Sequence, residues 1–320
     1  MRKSIALAAL ACLWMMAAQI TANAQTLKVA VPHPGLWDSS IINFAVREGY
    51  FRDAGVDVEF FYTEGGGSQL QTVISGAVDL GMLNGFLSVI SAYSKGAPLR
   101  VISAEFTGAL DSFWYARSDS GIRTLADAAG KTVAFSSTGS SSHLTILSLL
   151  KQAKVTTARP VATGGQLTTL TQVMSGQIDV GFSVPPIGLQ ELADGKINII
   201  AYGRDALDLR GQTVRVNVAN AEALRTKREA ITRFMGAIAR AIEFGYAEKK
   251  ALVYFAENAK VSEATALKVR EEFYPKSALQ LTQMHGVKDA LRDAFANKYT
   301  AKEMSEADVA GLFDLSVLPK

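Results

Sequence analysis

The apolar positions of this chain alternate between short runs and helical stripes. Residues 27–31 (LKVAV) form a run of the buried-strand kind, ended by Pro32-His33-Pro34-Gly35. Asp38 or Ser39 then caps a helix whose apolar side is Ile41, Ile42, Phe44 and Ala45, and which stops near Gly49. Residues 56–61 alternate as a second strand, Gly65-Gly66-Gly67-Ser68 opens another helix, and the alternation continues to residues 99–103 (LRVIS). Strand and helix in turn predict an α/β fold with parallel sheets covered by helices. The last third reads as helical. Residues 222–246 carry Ile231, Phe234, Met235, Ile238, Ala241 and Ile242 at helical spacing, and residues 264–273, 286–296 and 307–312 add further helices.

An internal echo organises this pattern. Residues 73–81 (VISGAVDLG) match residues 173–181 (VMSGQIDVG), and each copy follows a Gly-rich helix start, at 65–68 and at 164–165. Gly76 and Gly176 sit where a helix-terminating glycine belongs, with a short strand after each. Helix–Gly–strand connections recur in any α/β protein, but the shared Ser-Gly-x-x-Asp-x-Gly at matched places predicts two lobes built alike. Residues 112–117 (SFWYAR) and 213–218 (TVRVNV) both read as extended and are expected to be two crossing strands of a hinge near 112–117 and 209–218. Lobe one would then comprise residues 25–112 and 213–320, and lobe two residues 118–208.

The N-terminus stands outside this scheme. Arg2 and Lys3 precede a nearly all-apolar stretch from 5 to 20, and Ala22-Asn23-Ala24 has the form of a cleavage site. Residues 1–24 therefore read as a secretory signal peptide, cut after Ala24, which places the protein in the periplasm. The only cysteine, Cys12, lies inside that segment, so the processed chain is expected to hold no thiol and no disulfide. Processing also takes the formal charge from 33 − 30 = +3 to 31 − 30 = +1. A near-neutral chain without a basic cluster gives no electrostatic case for nucleic acid, and no later segment has the roughly 18 apolar residues of a membrane span.

In α/β sheets ligands collect at the carboxyl ends of strands, where helix N-termini point. The residues placed there are His33 and Trp37 after the first strand, Gly66 in the glycine run, and Asn84 and Phe86 after the third strand. Ser137, Thr138, Gly139, Ser140, Ser141 and His143 lie in "FSSTGSSSHL", and Pro185 follows the second copy of the echo. The helices beginning after Ser68, Ser141 and Gly165 carry no acidic residue at their starts, although free amides there favour negative charge. Several such vacant helix starts around one cleft suit an anionic group, with glycines admitting the backbone and hydroxyls adding donors. The same serines also make an ordinary turn and helix cap. Trp37 is expected as an aromatic wall of the cleft. No cradle loop contains an arginine, so any guanidinium would come from Arg117 or Arg204 near the hinge. A Ser–His pair close in sequence is not a triad, no G-x-S-x-G elbow is present, and three histidines without H-E-x-x-H offer no metal site. Neither a catalytic residue, a metal nor a cofactor is expected.

Four stretches taken in order carry a family resemblance: "LKVAVPHPGLWDSSIINFAVREGYFRDAGVDVEF", "GGGSQLQTVISGAVDLGM", "GIRTLADAAGKTVAFSSTGSSSHLTILSLLKQAKV" and "TQVMSGQIDVGFSVPP". Together they resemble the periplasmic substrate-binding proteins of ABC transporters in the nitrate/sulfonate/taurine and thiamine-precursor class. The resemblance implies the type II periplasmic-binding-protein fold: two Rossmann-like lobes on a two-strand hinge, closing around a solute. It implies a monomer that docks on a membrane permease with its ATPase subunit. It also implies that the loop at 136–142, the Asn84 loop and the loop near Trp37 contact solute. The vacant helix starts favour a small organic anion, sulfonate- or carboxylate-like; a neutral pyrimidine-like compound would use the same amides. Three alternatives differ in what they require. An exported Ser hydrolase needs a relay from serine to His143 to a carboxylate. A relative of the thiamine-pyrimidine synthases needs a reactive cysteine and a lysine for pyridoxal phosphate. A transcriptional effector domain needs an N-terminal helix-turn-helix.

Overall fold

Short apolar runs and amphipathic helices leave each sheet two faces to bury, and the chain solves this twice. The computed structural model describes residues 26–319, so the signal-peptide reading of residues 1–24 lies outside the described residues. The first sheet holds β1 (Thr26–Pro32), β2 (Asp57–Thr63), β3 (Leu80–Gly85), β4 (Leu99–Thr107) and β10 (Thr213–Asn220), in the order β2-β1-β3-β10-β4. The second holds β5 (Phe113–Arg117), β6 (Thr132–Phe135), β7 (Arg159–Ala162), β8 (Val180–Ser183) and β9 (Ile197–Tyr202), in the order β7-β6-β8-β5-β9. The orders are equivalent, so the two lobes share one topology.

The sheets are mixed rather than parallel. β10 runs antiparallel to β3 and β4, and β5 runs antiparallel to β8 and β9. These are the two segments expected to form a hinge pair; each is an inner strand of its own sheet, and the chain passes between the sheets just before each of them. Their residues alternate between faces that are both covered, which is why β10 is buried along its whole length.

The echo explains the shared scaffold. In the first lobe α3 (Gly66–Ile74) ends before Gly76 at φ 75° and leads into β3; in the second α6 (Gln166–Met174) ends before Gly176 at φ 78° and leads into β8. Only glycine adopts such a left-handed turn without penalty. The echoed aspartates then pin the neighbouring strand. Asp79 Oδ2 accepts the Lys28 N–H at 2.8 Å, and Asp179 Oδ2 accepts the Thr132 N–H at 2.9 Å and its hydroxyl at 2.8 Å. A Cβ on Gly81 would lie 2.8 Å from a Val73 methyl, so the final glycine permits close helix–strand packing.

The helices that cover the sheets include α1 (Ile41–Arg47), α2 (Tyr50–Asp53), α4 (Phe86–Ser94), α5 (Ser141–Gln152) and α7 (Leu189–Ala193). The C-terminal helical stripe is two helices, α8 (Ala221–Thr226) and α9 (Arg228–Ala247), broken at Lys227, where φ is −122°. α9 packs its apolar side on α1 and α2. Sequence reading passes over α10 (Lys249–Ala259), finds α11 (Glu263–Phe273) and α12 (Val287–Ala296), and reads a helix where the chain makes only a 3-10 turn at Ala310–Leu312. Among the described residues no helix is long and apolar enough to cross a membrane.

Candidate functional site

Where the carboxyl ends of the two sheets meet, a cavity of about 60 Å³ is lined by both lobes. A water needs roughly 10–15 Å³ on such a measure, so the space suits a group of a few heavy atoms. From the first lobe come His33, Leu36, Asp38, Gly66, Leu83, Gly85 and Arg215; from the second come Ser136, Ser140, Ser141, Ser142, Gln166, Phe182 and Val184.

The first-lobe side is charged. Asp38 opens a 3-10 turn after the Pro-Gly loop and is fixed by the Ser39 N–H, 2.8 Å from its Oδ1. Arg215 rises from β10 with its guanidinium 4.3 Å from the Phe106 ring centroid. Its Nη1 lies 2.7 Å from Asp111 Oδ2 and its Nη2 3.3 Å from Asp38 Oδ2. Arg215 is 8% exposed, yet Nε and Nη2 make no hydrogen bond among the described residues. A buried donor left open in this way is costly unless something else accepts from it.

The buried charges tune one another. Burial pushes the Asp38 carboxyl up to about 6, with Arg215 opposing and Asp111 adding to the rise. Burial also pushes Glu105 up to about 8, so at neutral pH it is mostly protonated; Asn217 donates to it from β10. Burial works against the Arg215 charge, but Asp111 and Asp38 outweigh it and hold the guanidinium protonated. His33 is lowered to about 4 by burial and by the Arg215 charge, and is neutral at physiological pH. The charged set is thus one guanidinium beside Asp38, with Asp111 behind.

The second-lobe side is uncharged. Ser140 caps α5, its Oγ accepting the His143 N–H at 3.2 Å, and the Oγ atoms of Ser136, Ser140 and Ser142 bond to one another at 3.0–3.1 Å. Of the four hydroxyls that sequence reading treats as donors, that of Ser140 is engaged within the loop, and Ser137 Oγ is buried without a partner among the described residues. Open as well are first-turn amides: the N–H groups of Ser141 and Ser142 have no acceptor among the described residues. α3, α5 and α6 all start without an acidic residue, as their sequences indicate, and Gly66, Ser141 and Gln166 at those starts line the cavity. These three helix ends add partial positive charge beside Arg215.

The structure brings four of the expected residues to the cavity: His33, Gly66, Ser140 and Ser141. The others lie elsewhere. Trp37 is fully buried in the first-lobe core, its ring centroid 5.1 Å from Phe255 and 5.6 Å from Phe44, because the turn after Gly35 swings it inward. Phe86 packs on Phe313 at 6.1 Å, and Asn84 turns back to donate to the Gly81 carbonyl at 2.8 Å. Pro185 lies beyond Val184, which takes the cavity position. Ser137, Thr138 and Gly139 form the contact between lobes: Ser137 faces Gly67, and the Ser88 hydroxyl and N–H donate to the Thr138 and Gly139 carbonyls, each at 3.3 Å. A Cβ on Gly85 would come within 2.7 Å of the Gly139 carbonyl oxygen, so the lobes touch backbone to backbone. His143 stacks on Phe135 at 3.9 Å, and its Nδ1 accepts from the Tyr299 hydroxyl and the Gly139 N–H. No Ser–His–carboxylate relay forms there. Arg117 pairs with Asp119 and Arg204 lies over Tyr202, so neither reaches the cavity. Among the described residues no cluster of three or more His, Cys, Asp or Glu could hold a metal.

Asp38 and Arg215 are the residues that sequence reading missed. Asp38 reads as a helix cap, and Arg215 lies in an apolar strand far along the chain. A lone arginine inside the run TVRVNV is the signal that was present, because a charge within a buried strand needs a partner.

Residues 38–251 match the family described as NMT1/THI5 like. The chain belongs to the NMT1/THI5-like family. Among curated proteins this NMT1/THI5-like chain finds no match. Among solved structures it is similar to the alkanesulfonate-binding protein SsuA of Xanthomonas axonopodis pv. citri bound to MOPS, at 17% identity and a TM-score of 0.77, over 90% of this chain and 98% of that one. It is also similar to the periplasmic aliphatic sulphonate binding protein SsuA of Escherichia coli, at 19% identity and TM-score 0.66, covering 89% and 91%. A third likeness is to the periplasmic nitrate-binding protein NrtA of Synechocystis PCC 6803, at 12% identity and TM-score 0.70, covering 91% and 86%. At these identities the likeness establishes that this NMT1/THI5-like protein has the two-lobe periplasmic-binding-protein fold.

Proposed function

We propose that the chain is the extracytoplasmic solute receptor of an ABC importer: a periplasmic monomer that closes on a small organic anion and presents it to a membrane permease and its ATPase. The observation that carries this reading is the convergence of Arg215, whose Nε has no acceptor, and three acid-free helix starts on one cavity lined by both lobes. A sulfonate or carboxylate oxygen supplies the acceptors that Nε and the open helix amides lack. Contacts from both lobes favour the closed form, and only the difference in affinity between closed and open states drives closure. The similar sulfonate- and nitrate-binding proteins support the same role. In the hydrolase reading a carboxylate would hold His143 Nδ1; Tyr299 and the Gly139 N–H stand there instead.

A second solute chemistry has its own support. Asp38 lines the cavity beside Arg215 and accepts where the arginine donates. A neutral or zwitterionic solute that brings a donor next to an acceptor would satisfy both groups.

Thermal unfolding against sulfonates, carboxylates, nitrate and pyrimidines separates the two. A solute at about 100 times its Kd stabilises by roughly 2.7 kcal/mol. A rise with simple anions supports the first chemistry, a rise only with donor-bearing heterocycles or zwitterions supports the second, and no rise with any member counts against the receptor reading.

A further inference from the structure

His33 stands between two spaces, not inside one. Together with Gln166 from the second lobe, it lines both the inner cavity of about 60 Å³ and an outer groove of about 320 Å³ whose lining includes Pro34, Tyr62, Glu64, Leu167 and Ile187. Its ring is flanked by a glycine from each lobe. A methyl group on Gly65 would lie 3.7 Å from the imidazole Cε1, and one on Gly165 3.6 Å from Cε1 and Nδ1. The backbone holds it there in an unusual conformation: φ is 45°, a proline stands on either side, and its N–H donates to the Thr63 carbonyl at 3.1 Å. A non-glycine residue in that region costs free energy and persists only where its surroundings enforce it.

We propose that His33 is a size-selecting partition: its ring closes the inner cavity off from the outer groove, so that compact solutes are accepted and longer members of the same chemical class are rejected. This rests on the reading of the cavity as the solute site. Rejection arises as a clash built against the wrong solute, which is how a small pocket discriminates when the polar head groups are identical. The groove beyond the ring is room that longer solutes would use if the ring were absent.

The test reads access to the cavity without needing the natural solute. In a Cys12→Ser background, Ser141→Cys puts a single thiol on the cavity wall. Methyl and hexyl methanethiosulfonate then report reaction rates for a small and a long reagent, each normalised to the urea-unfolded protein. With His33 present, the long reagent is expected to react about tenfold more slowly than the short one or worse. His33→Gly, which suits the positive φ, is expected to remove that difference, and His33→Asn, which also tolerates it, to reduce it. Equal discrimination with and without the imidazole, or none in the parent, overturns the partition. Kd values for the series from methanesulfonate to octanesulfonate form the second arm. They should rise with length in the wild type and flatten in His33→Gly; an unchanged length profile overturns the proposal. If neither protein binds any sulfonate while labelling still depends on His33, the partition stands and the anionic-solute reading falls.

Discussion

The two lobes share one strand order and one echoed connection, yet they bring opposite chemistry to the cavity. The second lobe offers backbone amides and neutral hydroxyls on one loop; the first offers a guanidinium among carboxyl groups. The echoed residues, Gly76 with Gly176 and Asp79 with Asp179, sit at the helix-to-strand end of each lobe and serve the scaffold. The residues that differ sit at the opposite ends of the strands. Duplicated architecture therefore says where a site is, and departures from the duplication say what it does.

The harshest way to break this asymmetry is Arg215→Ala. Removing the guanidinium leaves Asp38 and Asp111 buried without their shared counter-charge, a class of change that costs about 3–5 kcal/mol. A large fall in Tm is expected, with loss of solute binding; Arg215→Lys should recover part of the stability.

Glu105 sharpens the comparison through pH. Its folded-state value is raised to about 8 from an ordinary 4.5, chiefly by burial. Between those values the unfolded chain has released a proton that the folded chain keeps, so stability falls as pH rises through that window. Asp38, raised to about 6, adds the same slope up to its own value. In Glu105→Gln the plot of Tm against pH should flatten across the window, with the variant gaining on the wild type towards its upper end. An unchanged slope would mean that Glu105 is not the group titrating.

The scaffold half of the comparison predicts equality. Asp79→Ala removes the acceptor of a strand N–H and of Lys227 Nζ, Asp179→Ala that of a strand N–H and the Thr132 hydroxyl, and each should cost about 1–3 kcal/mol in urea unfolding. Strongly unequal losses would show that the echo is not the same device in both lobes. A smaller effect is expected at the cap: Ser140→Ala loses the His143 N–H acceptor and should cost about 1 kcal/mol. It should weaken solute binding only modestly, because the α5 amides remain.

Much of the fold was legible because its signals are local. Glycine after a helix, alternation in a strand and acid-free helix starts act within a few residues, and the echo repeats them. The site was legible in half. The helix starts at Gly66 and Ser141 were found because their chemistry belongs to the backbone. Arg215 was not, because its strand enters the first sheet only after the whole second lobe has intervened. Trp37 was misplaced for a related reason: loop sequence suggests exposure, but α9 and α10 bring Tyr246 and Phe255 to cover it. The Ser140 hydroxyl in "SSTGSSS" reads as free because sequence shows donors and not what they already bond.

The central claim is that one small solute is held by both lobes at once. Calorimetric titration of the best solute from the unfolding panel into wild type, Arg215→Met and Ser141→Trp tests it most directly, with circular dichroism confirming that each variant is folded. Arg215→Met removes the charge from the first lobe, and Ser141→Trp fills the cavity from the second. One-to-one binding in the wild type and none in either variant is the expected result. Binding that survives intact in either folded variant would contradict the account, because the solute would then be held by one lobe alone or somewhere else.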